Sequence, residues 1–378
     1  MVRLSAERQE ESISVLRWSY GADTWIERDV IIVAPNHRLG TLGFTSLGIP
    51  EAPGNQVRRS ARSRSGASSS DPQGLLDLVA ALKWVNVNIQ QFGGDPDLVT
   101  IFGESSGSWA CSYLHFSPHA QGLFHRVIMQ SGTLFNPYWE WRTQEDAVGL
   151  STFMSTMFNC TDLSPYGQLD CLQKLKRETI QESINWGTEE TMGIQKILRA
   201  TGVVDGDFLP DIPTKLIERG EYNHVPIMIG VTKDEGLLQM AQFILNPDLY
   251  FYAAISWENL GPMFLLGKSG PWDRTPEEEE MVRQITKVYL GPLGALNINE
   301  DHFDDMTKMI SDAYIWYGSH KHAEWAAANG DTVFQYQFNF KGPYGSVRSQ
   351  IVNNYLSLLQ ILGFLWTGGS QVRSLSLG

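Results

Sequence analysis

The stretch Val99-Thr-Ile-Phe-Gly103-Glu-Ser105-Ser-Gly107-Ser-Trp109 constrains this chain more than any other. An apolar, β-branched run suited to a buried strand stops at Gly103, a Gly-x-Ser-x-Gly sequence follows, and Ser108 to Leu114 continues with helical composition. Strand, tight turn and helix are the context in which that pattern marks a nucleophile elbow. A serine at the tip of so sharp a turn sits in a strained backbone conformation, its hydroxyl pushed out above the sheet. The residues two before and two after it must be small, because their Cβ atoms would hold strand and helix apart. The N–H of Ser106, at the start of the helix, then points to where an oxyanion develops. Ser105 is thus the candidate nucleophile of an acyl-transfer reaction, and Ser106 the candidate oxyanion donor.

The surroundings predict an α/β chain. Val30-Ile-Ile-Val-Ala34 and Val225-Pro-Ile-Met-Ile-Gly230-Val231 are continuous apolar runs of the kind buried on both faces of a parallel sheet. Val127 to Gly132 reads as another strand end, and Thr332 to Phe338 alternates as a last strand. Between strands, Gln73 to Phe92 repeats Leu75, Val79, Leu82 and Ile89 at helical spacing. Thr275-Pro-Glu-Glu-Glu-Glu280 is a helix start, with Thr275 as cap, Pro276 first and acids at the positive end of the dipole, rather than a metal site. Strands alternating with helices imply a mostly parallel central sheet with helices on both faces and functional loops at the strand C-termini. Ser105 and the Asp234-Glu235 pair both fall at such ends; the residues alone do not choose between the two acids.

Other classes of function are disfavoured. A net charge of −13 argues against nucleic acid as a partner. No stretch reaches the ~20 apolar residues of a membrane span; the nearest, Tyr355 to Trp366, is too short and reads as core or a poorly packed tail. The charged first residues hold no signal-peptide core, and residues 1–28 carry no pattern beyond a short helix. No Cys/His spacing suggests zinc, and no metal or other cofactor is expected. Gln56 to Pro72 is rich in Arg and Ser and reads as a flexible basic insert. Of the three cysteines, Cys111 lies on the apolar helix after the elbow and reads as a buried thiol. Cys160 and Cys171 flank a polar loop that a disulfide could close, two reduced thiols being the alternative. Asn159-Cys-Thr161 is the only N-glycosylation sequon.

Taken together, the motifs resemble those of the type-B carboxylesterase/cholinesterase family of α/β-hydrolases. Asn36-His-Arg-Leu-Gly40, Trp84-Val, Asn88-Ile, Phe92-Gly-Gly-Asp-Pro96 and Val99 to Gly107 carry the resemblance. Leu123 to Gly132, Val203 to Pro210 and Gly230-Val-Thr-Lys-Asp-Glu-Gly236 follow in the family's order. The resemblance implies an α/β-hydrolase fold over residues 20–342, interrupted by 56–72, with 1–19 and 343–378 left unassigned. It implies Ser105 as nucleophile, Glu235 as the acid that orients a base, a Cys160–Cys171 disulfide, and a two-step reaction through an acyl-enzyme; the sequon makes Asn159 the candidate glycosylation site.

Two family features have no counterpart here. Residues 1–28 hold no Gly-rich oxyanion loop, Gly21 being their one glycine, and no histidine follows the strand at 332–338. The eight histidines, at 37, 115, 119, 125, 224, 302, 320 and 322, include no positional match for the base, so none is assigned. The chain accordingly reads as an incomplete or mis-spliced version of a longer esterase, whose full-length form would be secreted or extracellular. Two functions are carried forward: a hydrolase of small-molecule carboxylic esters, its activity put in question by the missing base, and a catalytically inactive esterase-like binding or adhesion protein or fragment.

Overall fold

Five parallel strands, hydrogen-bonded side by side in chain order, make the central sheet: β1 (Val2–Leu4), β2 (Thr100–Glu104), β3 (Arg126–Gln130), β4 (Ile227–Thr232) and β5 (Val333–Phe338). The computed structural model describes residues 2–4, 27–38, 43–54, 74–137, 141–161, 164–176, 179, 202–268 and 274–340. The insert at 56–72 and the tail at 343–378 lie outside the described residues.

The helices fill the connections between strands. Among the described residues they include α1 (Gly74–Asn88), α2 (Ser106–Phe116), α3 (Gln144–Met157), α4 (Pro165–Gln173), α5 (Leu237–Leu245), α6 (Asp248–Leu266), α7 (Pro276–Leu290), α8 (Phe303–Ser311) and α9 (Tyr317–Ala328). A π-helical turn, Asp312–Trp316, joins α8 to α9. The start of α7 is capped as the sequence predicts: Thr275 Oγ1 accepts the Glu278 N–H, the Glu278 carboxylate accepts the Thr275 N–H, and Pro276 opens the helix.

Ile101, Val127, Met129, Ile227 and Ile229 are buried in one cluster with Tyr113 and Leu114 of α2 and Ala323 and Ala326 of α9. These strand residues alternate with a second set that points to the opposite face. There Phe102 is buried at β2, but exposure grows across the sheet, with Met228 at 39%, Phe334 at 57% and Phe338 at 54%. A second core, around Phe243, Trp257, Met263, Met306 and Met309, holds α5 to α8 together.

The beginning of the chain departs from expectation. Val30 to Val33 are only half-buried; Val33 forms a parallel β-bridge to Val2, and Ile31 and Val33 pack against the sheet core. The strand beside β2 is instead Val2–Leu4, in the stretch read as patternless, with Val2 pairing Ile101 and buried. Three residues beside a charged run leave no periodicity to detect, whereas four consecutive β-branched residues suggest a strand even where the segment forms only an isolated bridge.

Candidate active site

The elbow is built by the backbone. Ser105 stands between β2 and α2 at φ 53° and ψ −120°, a positive φ that a side-chain-bearing residue adopts only under strain. Its N–H donates to Gln130 O at the end of β3, and its carbonyl accepts the Trp109 N–H to start α2, at 2.9 and 3.0 Å. Two further serines of α2 tie the helix to the segment after β3: Ser108 Oγ donates to Gly132 O, and Ser112 Oγ accepts the Leu134 N–H. Ser106 is the first residue of α2, so its N–H points out of the helix's positive end. Cys111 on the same helix is fully buried, and burial raises its thiol pKa well above the usual range.

Glu235 lies in the turn after β4, two strands away in the same sheet. Its Oε1 accepts two hydrogen bonds, from the Ser131 hydroxyl at 2.7 Å and from the Thr232 N–H at 2.6 Å. Ser131, directly after β3, also has a positive φ of 58°, and its N–H donates to Gly230 O in β4. Ser131 is the residue that reading the sequence missed: Ser131-Gly132 was visible as a strand end, but not its contact with Glu235. Gly236 explains the Glu-Gly pair. A Cβ there would meet Thr307 O at 2.3 Å and Ser311 N at 2.8 Å, so only glycine lets α8 approach; its N–H donates to Ser311 Oγ at 2.8 Å. Asn136, fully buried, uses its Oδ1 on the Thr133 N–H and its Nδ2 on Ile315 O, a carbonyl of the π-helical turn.

Among the described residues, none of the eight histidines hydrogen-bonds Ser105 or Glu235. His115 of α2 and His322 of α9 are fully buried against each other, Nε2 of one 3.3 Å from Nδ1 of the other. Burial lowers the His115 pKa to about 4 and that of His322 well below its ordinary value. His119 pairs with Asp207, His125 accepts the Val99 N–H, and His224 bridges Asp331 and Gly220 O. His302 contacts Asn299 and His320 contacts Gln335. His37 is half-buried, and desolvation lowers its pKa against the opposing pull of Asp77. A cavity of about 620 Å³ opens beside the Glu235 turn, between Lys233, Asp234 and Leu237 and the α8 side chains Asp304, Lys308 and Asp312, with Trp316 and Gln337; Ser105 does not line it.

The elbow and the Glu-Gly turn thus stand at the C-terminal ends of parallel strands two apart in one sheet, with Ser131 at the end of the strand between them. A model of the carboxylesterase family matches residues 9–354. The chain belongs to the carboxylesterase family. Within that family it is 30% identical over 328 residues to esterase FE4 of Myzus persicae, covering 84% of this chain and 52% of that protein. Human neuroligin-3 is 34% identical over 222 residues, 58% of this chain and 23% of the other. The crystal structure of juvenile hormone esterase from Manduca sexta, with OTFP covalently attached, superposes with a TM-score of 0.72 at 24% identity, over 93% of this chain and 61% of that one. That likeness establishes the α/β-hydrolase fold. The chain spans about half the length of the insect esterases that match most of it.

Cys160 and Cys171 form the disulfide that the resemblance implied, with Cα atoms 5.6 Å apart. Asn159, next to it, takes a positive φ of 59° and is exposed. Among the described residues no helix is long and apolar enough to cross a membrane, and no cluster of His, Cys, Asp and Glu could hold a metal ion.

Proposed function

We propose that this carboxylesterase-family chain carries a serine-hydrolase site for small-molecule carboxylic esters, with Ser105 as nucleophile and Glu235 as the acid of the triad. The observation that carries the reading is the strained φ of 53° at Ser105, at a strand-to-helix turn on the sheet edge that also holds Glu235. Strain of this kind persists only where the surroundings over-determine it, and it exposes the serine oxygen to an incoming carbonyl. In the reaction Ser105 Oγ attacks the ester carbon while its proton passes to a base, and the carbonyl oxygen becomes an oxyanion within reach of the Ser106 N–H. Collapse expels the alcohol with a proton and leaves an acyl-serine, which water hydrolyses to the acid. Glu235, held by Ser131 and Thr232, would orient an imidazole and stabilise its cation. No described histidine stands there, so the base is the open position of the constellation, and a triad without its base keeps only weak catalysis.

The missing contact also supports a second reading, an esterase-like binding or adhesion protein without turnover; the similarity to neuroligin-3, a protein not named as an esterase, is consistent with it. Labelling with a fluorophosphonate, alongside p-nitrophenyl ester hydrolysis with and without added imidazole, separates the two. The hydrolase reading expects labelling that Ser105→Ala abolishes and an imidazole-stimulated rate that the same variant loses. A chain that never labels, or labels equally after Ser105→Ala, is a binding protein or fragment.

A further inference from the structure

Helix α3 ends in a Schellman motif. Past its last residue, Met157, the chain runs through Phe158 to Asn159, which takes φ 59°. The Asn159 N–H donates to Thr156 O at 2.9 Å, and the Cys160 N–H donates to Ser155 O at 2.8 Å. These two bonds satisfy carbonyls that the helix end would otherwise leave open. The left-handed position they require is usually glycine and sometimes asparagine. The next residue turns back onto the helix: Cys160 is 2% exposed, packs with Met154, Phe158 and Leu172, and is bonded to Cys171 of α4. Asn159 and Thr161 on either side of it are exposed.

The same three residues are the chain's one Asn-x-Ser/Thr sequence, Asn159-Cys-Thr161. Disulfides persist in oxidising compartments, and in the secretory lumen that sequence accepts N-linked oligosaccharide. An acceptor has to hand its asparagine amide and its threonine hydroxyl to one enzyme site together, which takes backbone free to enter a cleft. Here the backbone between them is held twice, by two N–H bonds to α3 and by the cross-link to α4. With Cys160 inward, the middle of the acceptor is out of reach. The Asn159 side chain itself stands in solvent, so a glycan already in place fits the folded surface.

We propose that Asn159 is an acceptor for N-linked oligosaccharide only until the Cys160–Cys171 disulfide closes. Transfer joins Asn159 Nδ2 to the anomeric carbon of an oligosaccharide carried on a lipid pyrophosphate. The sugar–phosphate C–O bond breaks, the lipid pyrophosphate leaves, and the amide gives up one proton. Closure takes two protons and two electrons from the two thiols, and a protein disulfide of the lumen is reduced by them. The two steps compete for one stretch of chain, and Ser105 takes no part in either. Closure first withdraws the acceptor; transfer first leaves both thiols free to pair afterwards. The glycan-bearing fraction therefore records which step came first.

The full chain, made without glycan and either oxidised or reduced with dithiothreitol, is given a purified oligosaccharyltransferase and a lipid-pyrophosphate-linked oligosaccharide. Intact mass and glycopeptide mapping follow the product. The oxidised chain is expected to be modified at Asn159 at least about tenfold more slowly than the reduced one, because it must first open locally. Cys171→Ser, which keeps the acceptor but cannot close the loop, should be modified at the reduced chain's rate with or without dithiothreitol. Thr161→Ala should not be modified under either condition. Equal rates for oxidised and reduced wild type would overturn the order of events, as would a dithiothreitol effect that persists in Cys171→Ser. Absence of transfer to Asn159 in both reduced wild type and Cys171→Ser would remove the acceptor itself.

Discussion

Two serines with positive φ, Ser105 and Ser131, follow directly on neighbouring strands, and each places a hydroxyl at the same edge of the sheet. Each such residue stores about 1–3 kcal/mol of strain. Both are held by β-type hydrogen bonds from their own N–H to the next strand, so the strain is opposed by the ladder itself. The acid is placed differently, by close approach. Gly236 admits the backbone of α8 at a distance no side chain allows, and this fixes the turn that presents Glu235. Gly236→Ala is therefore expected to destabilise the fold by about 1–3 kcal/mol through overpacking, as a lowered urea midpoint. It should also slow fluorophosphonate labelling of Ser105 more than an equally destabilising change in the α5–α8 core does. Equal slowing would separate Glu235 from the chemistry.

At the level of elements, α2 and α9 meet through His115 and His322, which share one contact and are otherwise enclosed by Phe116, Phe135 and Tyr222. Both are held neutral. Because their folded pKa values lie below that of a free imidazole, the unfolded chain binds more protons once the pH falls below about 6.5. Stability is thus fully present above that pH and is lost progressively down through about 4, where the folded His115 itself protonates. His115 alone removes on the order of 2 kcal/mol at pH 5. His224, whose bond to Asp331 raises its pKa, acts in the opposite sense, weakly, because it is exposed. Urea midpoints at pH 7 and pH 5 should therefore differ strongly in the wild type, less in His322→Phe, where His115 still titrates, and least in the double variant His115→Phe, His322→Phe; an unchanged difference in the double variant would place the acid sensitivity elsewhere. Elements of this kind were unequally legible in the sequence. β2, β4 and the start of α7 could be read because consecutive apolar residues, or a cap with its acids, are local signals. The short β1, the histidine pair (207 residues apart) and the Ser131–Glu235 bond (104 apart) are tertiary facts that no local pattern encodes.

Across the whole molecule the cores are separable. The sheet core and the α5–α8 core are distinct clusters, and a third, small one, Met154, Phe158, Cys160 and Leu172, joins α3 to α4 beside the disulfide. Closing an eleven-residue separation, the disulfide is worth about 2–3 kcal/mol on the chain-entropy estimate, confined to this satellite. Reduction is expected to open α3 and α4 to protease while leaving Ser105 labelling and the sheet's hydrogen exchange unchanged; loss of labelling on reduction would show the satellite to support the site. The separability bears on order in time. The elbow, β2 and β3 lie within about thirty residues of one another, so their contacts close small loops. The bond that fixes Glu235 closes a loop of 104 residues, and a ribosome that has finished the elbow has still to make that whole length before the acid exists. A nascent chain therefore carries a strained serine well before it carries the carboxylate proposed to act with it.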